Sequence, residues 1–146
     1  MLSETIKRPF TELSKEELYR ILDLRSRVFV MEQKILYVDT DYMDQKSVHY
    51  FIMDGERMVS YLRLIPPKVK YSEHALSRVA TLKDYRGQGL ARRLIEDVMA
   101  DIRGQPIRIS GQAYLREYYE RLGFRVVRGP YIEEDIPHYE MFYAND

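Results

Sequence analysis

Ser77-Arg78-Val79-Ala80-Thr81-Leu82-Lys83-Asp84-Tyr85-Arg86-Gly87-Gln88-Gly89-Leu90-Ala91 decides how the rest of the chain is read. It has the order of a strand, a tight polar loop with two glycines, and a helix start. Behind it Leu90, Leu94, Ile95, Val98, Met99 and Ile102 recur every three or four residues, so Gly89 to Arg103 carries one apolar stripe on a helix, stopped by Gly104. The first N–H groups of a helix lack internal partners, and the macrodipole makes that end positive. Gly87 and Gly89 let a ligand approach the backbone closely. Together these features make a cradle for phosphates. Arg86, Arg92 and Arg93 crowd the same helix start, where each cation costs about 0.3–1 kcal/mol. A bound polyanion removes that conflict. The competing explanation pairs Arg92 with Glu96 and Arg93 with Asp97 on a solvated face.

Two nucleotide-binding classes are excluded. The stretch lacks G-x-x-x-x-G-K-[ST], so it is no Walker A loop. Arg92 stands where a dinucleotide fingerprint needs its third glycine, and no acidic residue follows a strand at the required distance.

Outward from this centre, helices and strands alternate. Residues 5–10 fit a first short strand. Ser14-Lys15-Glu16-Glu17 has capping-box form, with Leu13 and Leu18 placed as a staple. Leu18, Ile21, Leu22, Arg25, Val28 and Phe29 then follow helical spacing, with Arg25 the polar intruder, in a helix broken at most once before Gln33. Residues 34–46 read as a solvated acidic loop. Residues 49–53 and 58–65 read as two strands of a hairpin turning at Asp54-Gly55 and stopped by Pro66-Pro67. Residues 76–82 and the Ile107/Ile109 region are further strands, 114–122 a short helix ended by Gly123, and 124–127 and 139–143 the closing strands. The expected fold is α/β: a mixed, mostly antiparallel sheet with helices on both faces. The strand–helix–strand pieces use right-handed parallel crossovers.

The 146 residues suit one domain, 1–146. Equal counts of 23 basic and 23 acidic residues argue against a nucleic-acid binder. No run approaches the ~18–20 apolar residues of a membrane span, and the N-terminus lacks the apolar core of a secretion signal, so a cytoplasmic protein is the simplest reading. With Cys 0, cysteine nucleophiles and cysteine-bound zinc are excluded. Three scattered histidines form no zinc motif. Asp39, Asp41 and Asp44 miss the EF-hand spacing, so no metal is expected. His49 reads as sheet packing and His74 as a solvated loop residue.

Arg86-Gly87-Gln88-Gly89-Leu90-Ala91 resembles the Q/R-x-x-G-x-G/A motif of GCN5-related N-acetyltransferases (GNAT), with strand and helix in that family's order. Tyr118-Tyr119-Glu120-Arg121-Leu122-Gly123-Phe124 resembles the family's F-Y-E-K-L-G-F segment. The stretch from Arg25 to Gln33, Tyr61-Leu62-Arg63-Leu64 with Pro66-Pro67, and Ile136-Pro137-His138 resemble the ElaA-like branch. The resemblance covers essentially the whole chain. It implies acetyl-coenzyme A as co-substrate, with Arg86, Gly87, Gln88, Gly89, Leu90, Ala91 and Arg92 around the pyrophosphate. It also implies that Val79, Ala80 and Thr81 pair with the pantetheine arm and supply oxyanion donors. Gln112 stands where many members have a cofactor-contacting Asn.

Acyl transfer by direct attack needs a neutral amine, a stabilised oxyanion and a protonated leaving thiolate, and no enzyme nucleophile. By the resemblance Tyr119 protonates or hydrogen-bonds the thiolate, a task a phenol with a pKa near 10 can perform. Tyr118 is assigned to packing, with exchange of the two roles left open. His138 and Glu32 are the candidate general bases, the first because imidazole titrates near neutrality. A structural hydrogen bond is the competing role for each. Tyr114 is assigned to packing, while Tyr37, Tyr42, Tyr131 and Tyr139 are candidates to line an acceptor pocket, and the acidic loop to border it. The acceptor is a small-molecule or peptide amine, and a homodimer is compatible with the sequence. The alternatives are a non-catalytic acyl-coenzyme A sensor and an acyl-homoserine-lactone-synthase-like acyltransferase.

Overall fold

Asp54-Gly55 turns as its residue types require. Gly55 takes φ +61°, and β2 (Val48–Asp54) and β3 (Arg57–Ile65) pair antiparallel across it, with Asp54 opposite Arg57. The computed structural model describes residues 1–146. In it β1 (Ile6–Pro9), β4 (His74–Thr81), β5 (Ile107–Gln112), β6 (Arg125–Glu133) and β7 (Ile136–Tyr143) complete a seven-stranded sheet in the order β1-β2-β3-β4-β5-β7-β6. Only β4 and β5 run parallel; every other neighbouring pair is antiparallel. The helices are α1 (Lys15–Arg25), α2 (Leu90–Asp101) and α3 (Arg116–Arg121).

Both faces of the sheet are covered. Side chains alternate along a strand. On β2 the Tyr50 hydroxyl donates to Asp101 at the end of α2, at 2.8 Å. Its neighbour His49 faces the other way, toward Tyr61 and the carbonyl of Asp44, and the Asp44 carboxylate is bound by Arg25 of α1. α1 and α2 therefore lie on opposite faces, and β3 between them is buried from Met58 to Ile65. The two bonds of His49 fix its tautomer. A carbonyl can only accept, so Nε2 carries the proton and Nδ1 accepts from the Tyr61 hydroxyl at 2.6 Å. Burial lowers its pKa, consistent with a neutral ring.

α1 begins in the expected capping box. The Ser14 hydroxyl accepts from the Glu17 N–H at 3.0 Å, and the Glu17 carboxylate accepts from the Ser14 N–H at 2.9 Å. The helix then widens into a π-type segment, Ser26–Glu32. One extra residue per turn there rotates the side chains that follow relative to an α-helix.

The acidic loop departs from expectation. Arg25, the apparent intruder, is fully buried. Its Nε donates to Asp39 and its Nη1 to Asp44, each at 2.7 Å. Arg63, also fully buried, donates to Asp44 at 2.9 Å and to both oxygens of Asp41 at 2.8 Å. Arg78 donates to Asp39 at 2.9 Å. The loop's carboxylates are thus neutralised and turned onto the sheet while residues between them stay exposed, and those carboxylates carry no spare charge for attracting a cationic acceptor. The cause is desolvation: a guanidinium taken from water needs carboxylates around it. Other expectations also change. His74 opens β4 and is half-buried rather than a solvated loop residue. The strand expected over 124–127 continues to Glu133, forming a long hairpin with β7. Arg93 donates to the Ser3 carbonyl at 2.7 Å, while Asp97 accepts from Thr5, so the expected Arg93–Asp97 pair is absent.

Removing a carboxylate from this network strands a buried cation, at a cost of roughly 3–5 kcal/mol. Asp44→Ala is expected near the lower bound in urea unfolding, because Arg25 keeps Asp39 and Arg63 keeps Asp41. Acid should act the same way. Burial pushes the Asp41 carboxyl up, but hydrogen bonds and charge from Arg63 outweigh it and hold the group down at about 2. A depressed carboxyl contributes stability above its unfolded pKa of ~3.9, and that stability is lost as pH falls through the folded value. Unfolding curves taken between pH 5 and pH 2 should show this decline in wild type and a shallower one in Asp41→Asn.

Candidate active site

β4 and β5 pair only at His74 with Ile107 and Ala75 with Arg108. Beyond these residues the strands part. β4 is also bulged against β3 between the Tyr61–Ala80 and Arg63–Ser77 pairs, and Arg78 at the bulge takes φ +54°. The left-handed conformation is held by the bonds from Arg78 to Asp39. From Leu76 onward the β5-side edge of β4 has no strand partner. Leu82 N–H donates to Val59 across β3, so by strand alternation Val79 and Thr81 turn their peptide groups the other way, into the gap. The Thr81 carbonyl accepts from Arg86 Nε at 3.0 Å, consistent with that direction.

The gap is the floor of a cleft of about 610 Å³. Its walls come from the π-type segment (Phe29, Glu32), from the glycine loop and from Tyr119 and His138. At one end Gly87 and Gly89 take φ +82° and +74°, and Gly89 caps α2 without any side-chain bond. A Cβ at either glycine would meet nothing within 4 Å. Glycine is therefore required by the backbone turn, and the space before it is open. The first N–H groups of α2 point out unbonded, as at any uncapped helix start. Arg92 pairs with Glu96 at 3.4 Å on the exposed face.

Tyr119 sits further along, nearly buried. Its ring stands edge-on to Tyr118 and Phe124, with centroids 5.4 and 5.7 Å away. Gly111 of β5 makes room for it, since a Cβ there would lie 3.3 Å from the ring. Burial raises the phenol well above its ordinary pKa, so the hydroxyl keeps its proton. Tyr118 is half-buried, packs on the core and also reaches the cleft.

His138, on β7, lies across the cleft floor. Its Nδ1 is 2.7 Å from the Ile136 carbonyl and must donate to it. Nε2 is left free to accept a proton, 3.5 Å from a Glu133 carboxylate oxygen. Tyr131 stacks on the ring at 6.2 Å. Glu32 has different surroundings. Its carboxylate is gripped by Arg86, with Nη2 to Oε1 at 2.7 Å, and its pKa is lowered by that bond. A carboxylate so held is a poor base. Gln112, at the end of β5, exchanges amide hydrogen bonds with Gln33 at 3.2 and 3.4 Å.

The family model described as "Acetyltransferase (GNAT) domain" matches residues 11–144. The chain belongs to the GNAT acetyltransferase family. UPF0039 protein sll0451 of Synechocystis is 37% identical over 139 residues, covering 92% of this chain and 90% of that one. The crystal structure of an acyl-CoA N-acyltransferase from Pseudomonas aeruginosa is similar at TM-score 0.91 and 34% identity, covering 97% of this chain and 99% of that one. Escherichia coli ElaA, at 28% identity, superposes at TM-score 0.89 over 98% of this chain and 99% of that one, in accord with the ElaA-like features of the sequence.

Within this GNAT fold, Val79, Ala80, Thr81, Gly87, Gly89, Leu90, Ala91, Arg92, Gln112 and Tyr119 all line one cleft, together with Glu32, Arg86 and His138. Gln88, on the same loop, does not reach it. Of the tyrosines assigned to an acceptor pocket, Tyr37 lines the cleft, Tyr42 is 84% exposed away from it, and Tyr131 and Tyr139 stay outside its lining. Tyr114, expected to pack, is 72% exposed at the cleft. Sequence reading missed Lys70, Arg78 and Glu133, which line the cleft from separate elements with no local motif. Gln33, at the end of the Arg25 to Gln33 stretch, also lines the cleft.

Gly89→Ala should separate backbone from contact effects. No neighbour obstructs the new methyl, so its cost is the left-handed turn, about 1–2 kcal/mol. Chemical denaturation should show a loss in that range; no loss would mean that α2 starts equally well without the turn.

Proposed function

We propose that this chain transfers an acetyl group from acetyl-coenzyme A to a primary amine by direct attack. The observation that supports this best is the parting of β4 and β5 between a glycine-capped helix start and a proton-bearing tyrosine. The residues present fit the donor. A pyrophosphate suits the free N–H groups from Gly87 to Ala91, which no Cβ obstructs. The pantetheine amides suit the unpaired edge of β4 at Val79 to Thr81.

The chemistry then needs little more. The amine nitrogen attacks the thioester carbon, and the oxyanion that develops takes a hydrogen bond from an outward N–H of β4. The carbon–sulfur bond breaks, and Tyr119 gives its proton to the departing thiolate. His138 Nε2 takes the proton that the amine loses, 3.5 Å from a Glu133 carboxylate oxygen. Glu32 is assigned away from the base role because Arg86 holds it. The acceptor is a small-molecule or peptide amine entering beside Tyr37 and His138, which line the same cleft.

Tyr119→Phe should lower kcat by roughly 10²–10³ with coenzyme A affinity within about threefold, as expected when a general acid is lost and binding is not. Thiol release over a panel of amines measures both. Because burial raises the Tyr119 pKa, its protonated form persists as pH rises, and wild-type turnover should show no alkaline loss from this group up to pH ~10. Full activity in Tyr119→Phe would move the proton donor elsewhere.

A further inference from the structure

Two successive side chains tie the end of the π-type segment across the cleft. Glu32 meets Arg86 with both carboxylate oxygens, Oε2 toward Nη1 and Oε1 toward Nη2, the latter at 2.7 Å. Gln33 meets Gln112 amide to amide, each donating to the other. Arg86 enters the glycine loop and Gln112 ends β5, so these ties span the region where β4 and β5 have separated. The Arg86 guanidinium is committed on all its nitrogens, since Nε holds the Thr81 carbonyl. A polyanion arriving at the loop therefore meets a cation that an internal carboxylate has already neutralised. The pair is half-exposed, at 41% for Arg86 and 38% for Glu32. Exchange of one anion for another is accessible there, because exposed pairs are weak.

We propose that Glu32 is an internal competitor for Arg86, holding the guanidinium until the donor pyrophosphate takes it, and that release of Glu32 lets the Phe29–Gln33 strap move with donor binding. This rests on the donor reading above and adds an internal competitor to it. A single carboxylate yields to a pyrophosphate of higher charge. Once Glu32 leaves, the Gln33–Gln112 tie and the packing of Phe29 on the core hold the strap, and the pantetheine amides can replace the first of these in kind. Phe29, on the strap, lines the same cleft as Tyr37 and His138. Release of Glu32 thereby frees one wall of the cleft that the acceptor enters. Glu32 is a positioning residue in this scheme, acting through Arg86.

Calorimetric titration with coenzyme A tests the proposal on the full chain. Glu32→Gln keeps the shape and removes the charge. It should tighten coenzyme A binding by about two- to fivefold, the range that release from an exposed pair allows. Glu32→Ala should act in the same direction, which guards against a new bond made by the glutamine. In an Arg86→Gln background the Glu32→Gln change should have no effect, a coupling that a merely structural role for Glu32 would not produce. Unchanged or weaker binding in both Glu32 variants, with wild type binding normally, overturns the competition and leaves the donor reading standing. Failure of wild type to bind coenzyme A overturns both.

Discussion

The Asp44 carboxylate accepts from two fully buried guanidiniums, Arg25 of α1 and Arg63 of β3. Much of the molecule is arranged around that pair of bonds. Neither cation can remain buried alone, so the chain brings Asp39 and Asp41 down onto the sheet as well. The segment carrying them then holds Arg78, and with it the bulge of β4. A bulge bends its strand and ends regular pairing. The opening between β4 and β5, which is the cleft floor, begins at Leu76 and runs past this bulge. Core electrostatics and site geometry are thus one construction. A salt network of this kind is weak evidence for net stability; its clear effect here is to fix where a loop lies and how a strand bends.

Around that opening the chemistry divides by element. α2 supplies unbonded N–H groups behind two left-handed glycines. β4 supplies outward peptide groups, and α3 supplies one phenol kept protonated by burial. β7 supplies an imidazole whose tautomer is set by a neighbouring carbonyl. Each contribution comes from a strand, a helix or a helix start, so the sheet and its two faces set the spacing of the groups.

Legibility in the sequence followed range. The glycine loop, the stripe of α2, the capping box at Ser14 and the Asp54-Gly55 turn are all local patterns, and the structure realises them with small shifts of boundary. The acidic loop was misread because its meaning lies in partners 14 to 39 residues away, namely Arg25, Arg63 and Arg78. Taken alone, Asp39, Asp41 and Asp44 look solvated. Arg25 did stand out as a charge on an apolar stripe, and that mismatch was the available signal for a buried network. The β6–β7 hairpin extends further than the pattern suggests because its far half is largely exposed and is interrupted by Gly129-Pro130, which removes the apolar alternation that marks a strand. The Glu32–Arg86 grip joins residues 54 apart on two different lips of the cleft, so no spacing rule could reveal it.

The placement of the donor is the centre of this picture, and amide chemical-shift mapping by NMR during titration with coenzyme A measures it most directly. The expected result is that the largest perturbations fall on the amides of Gly87 to Arg92 and on Val79 and Thr81, with smaller ones along Phe29 to Gln33. Perturbations confined to surfaces outside the β4–β5 cleft, with the glycine-loop amides unmoved, would contradict it.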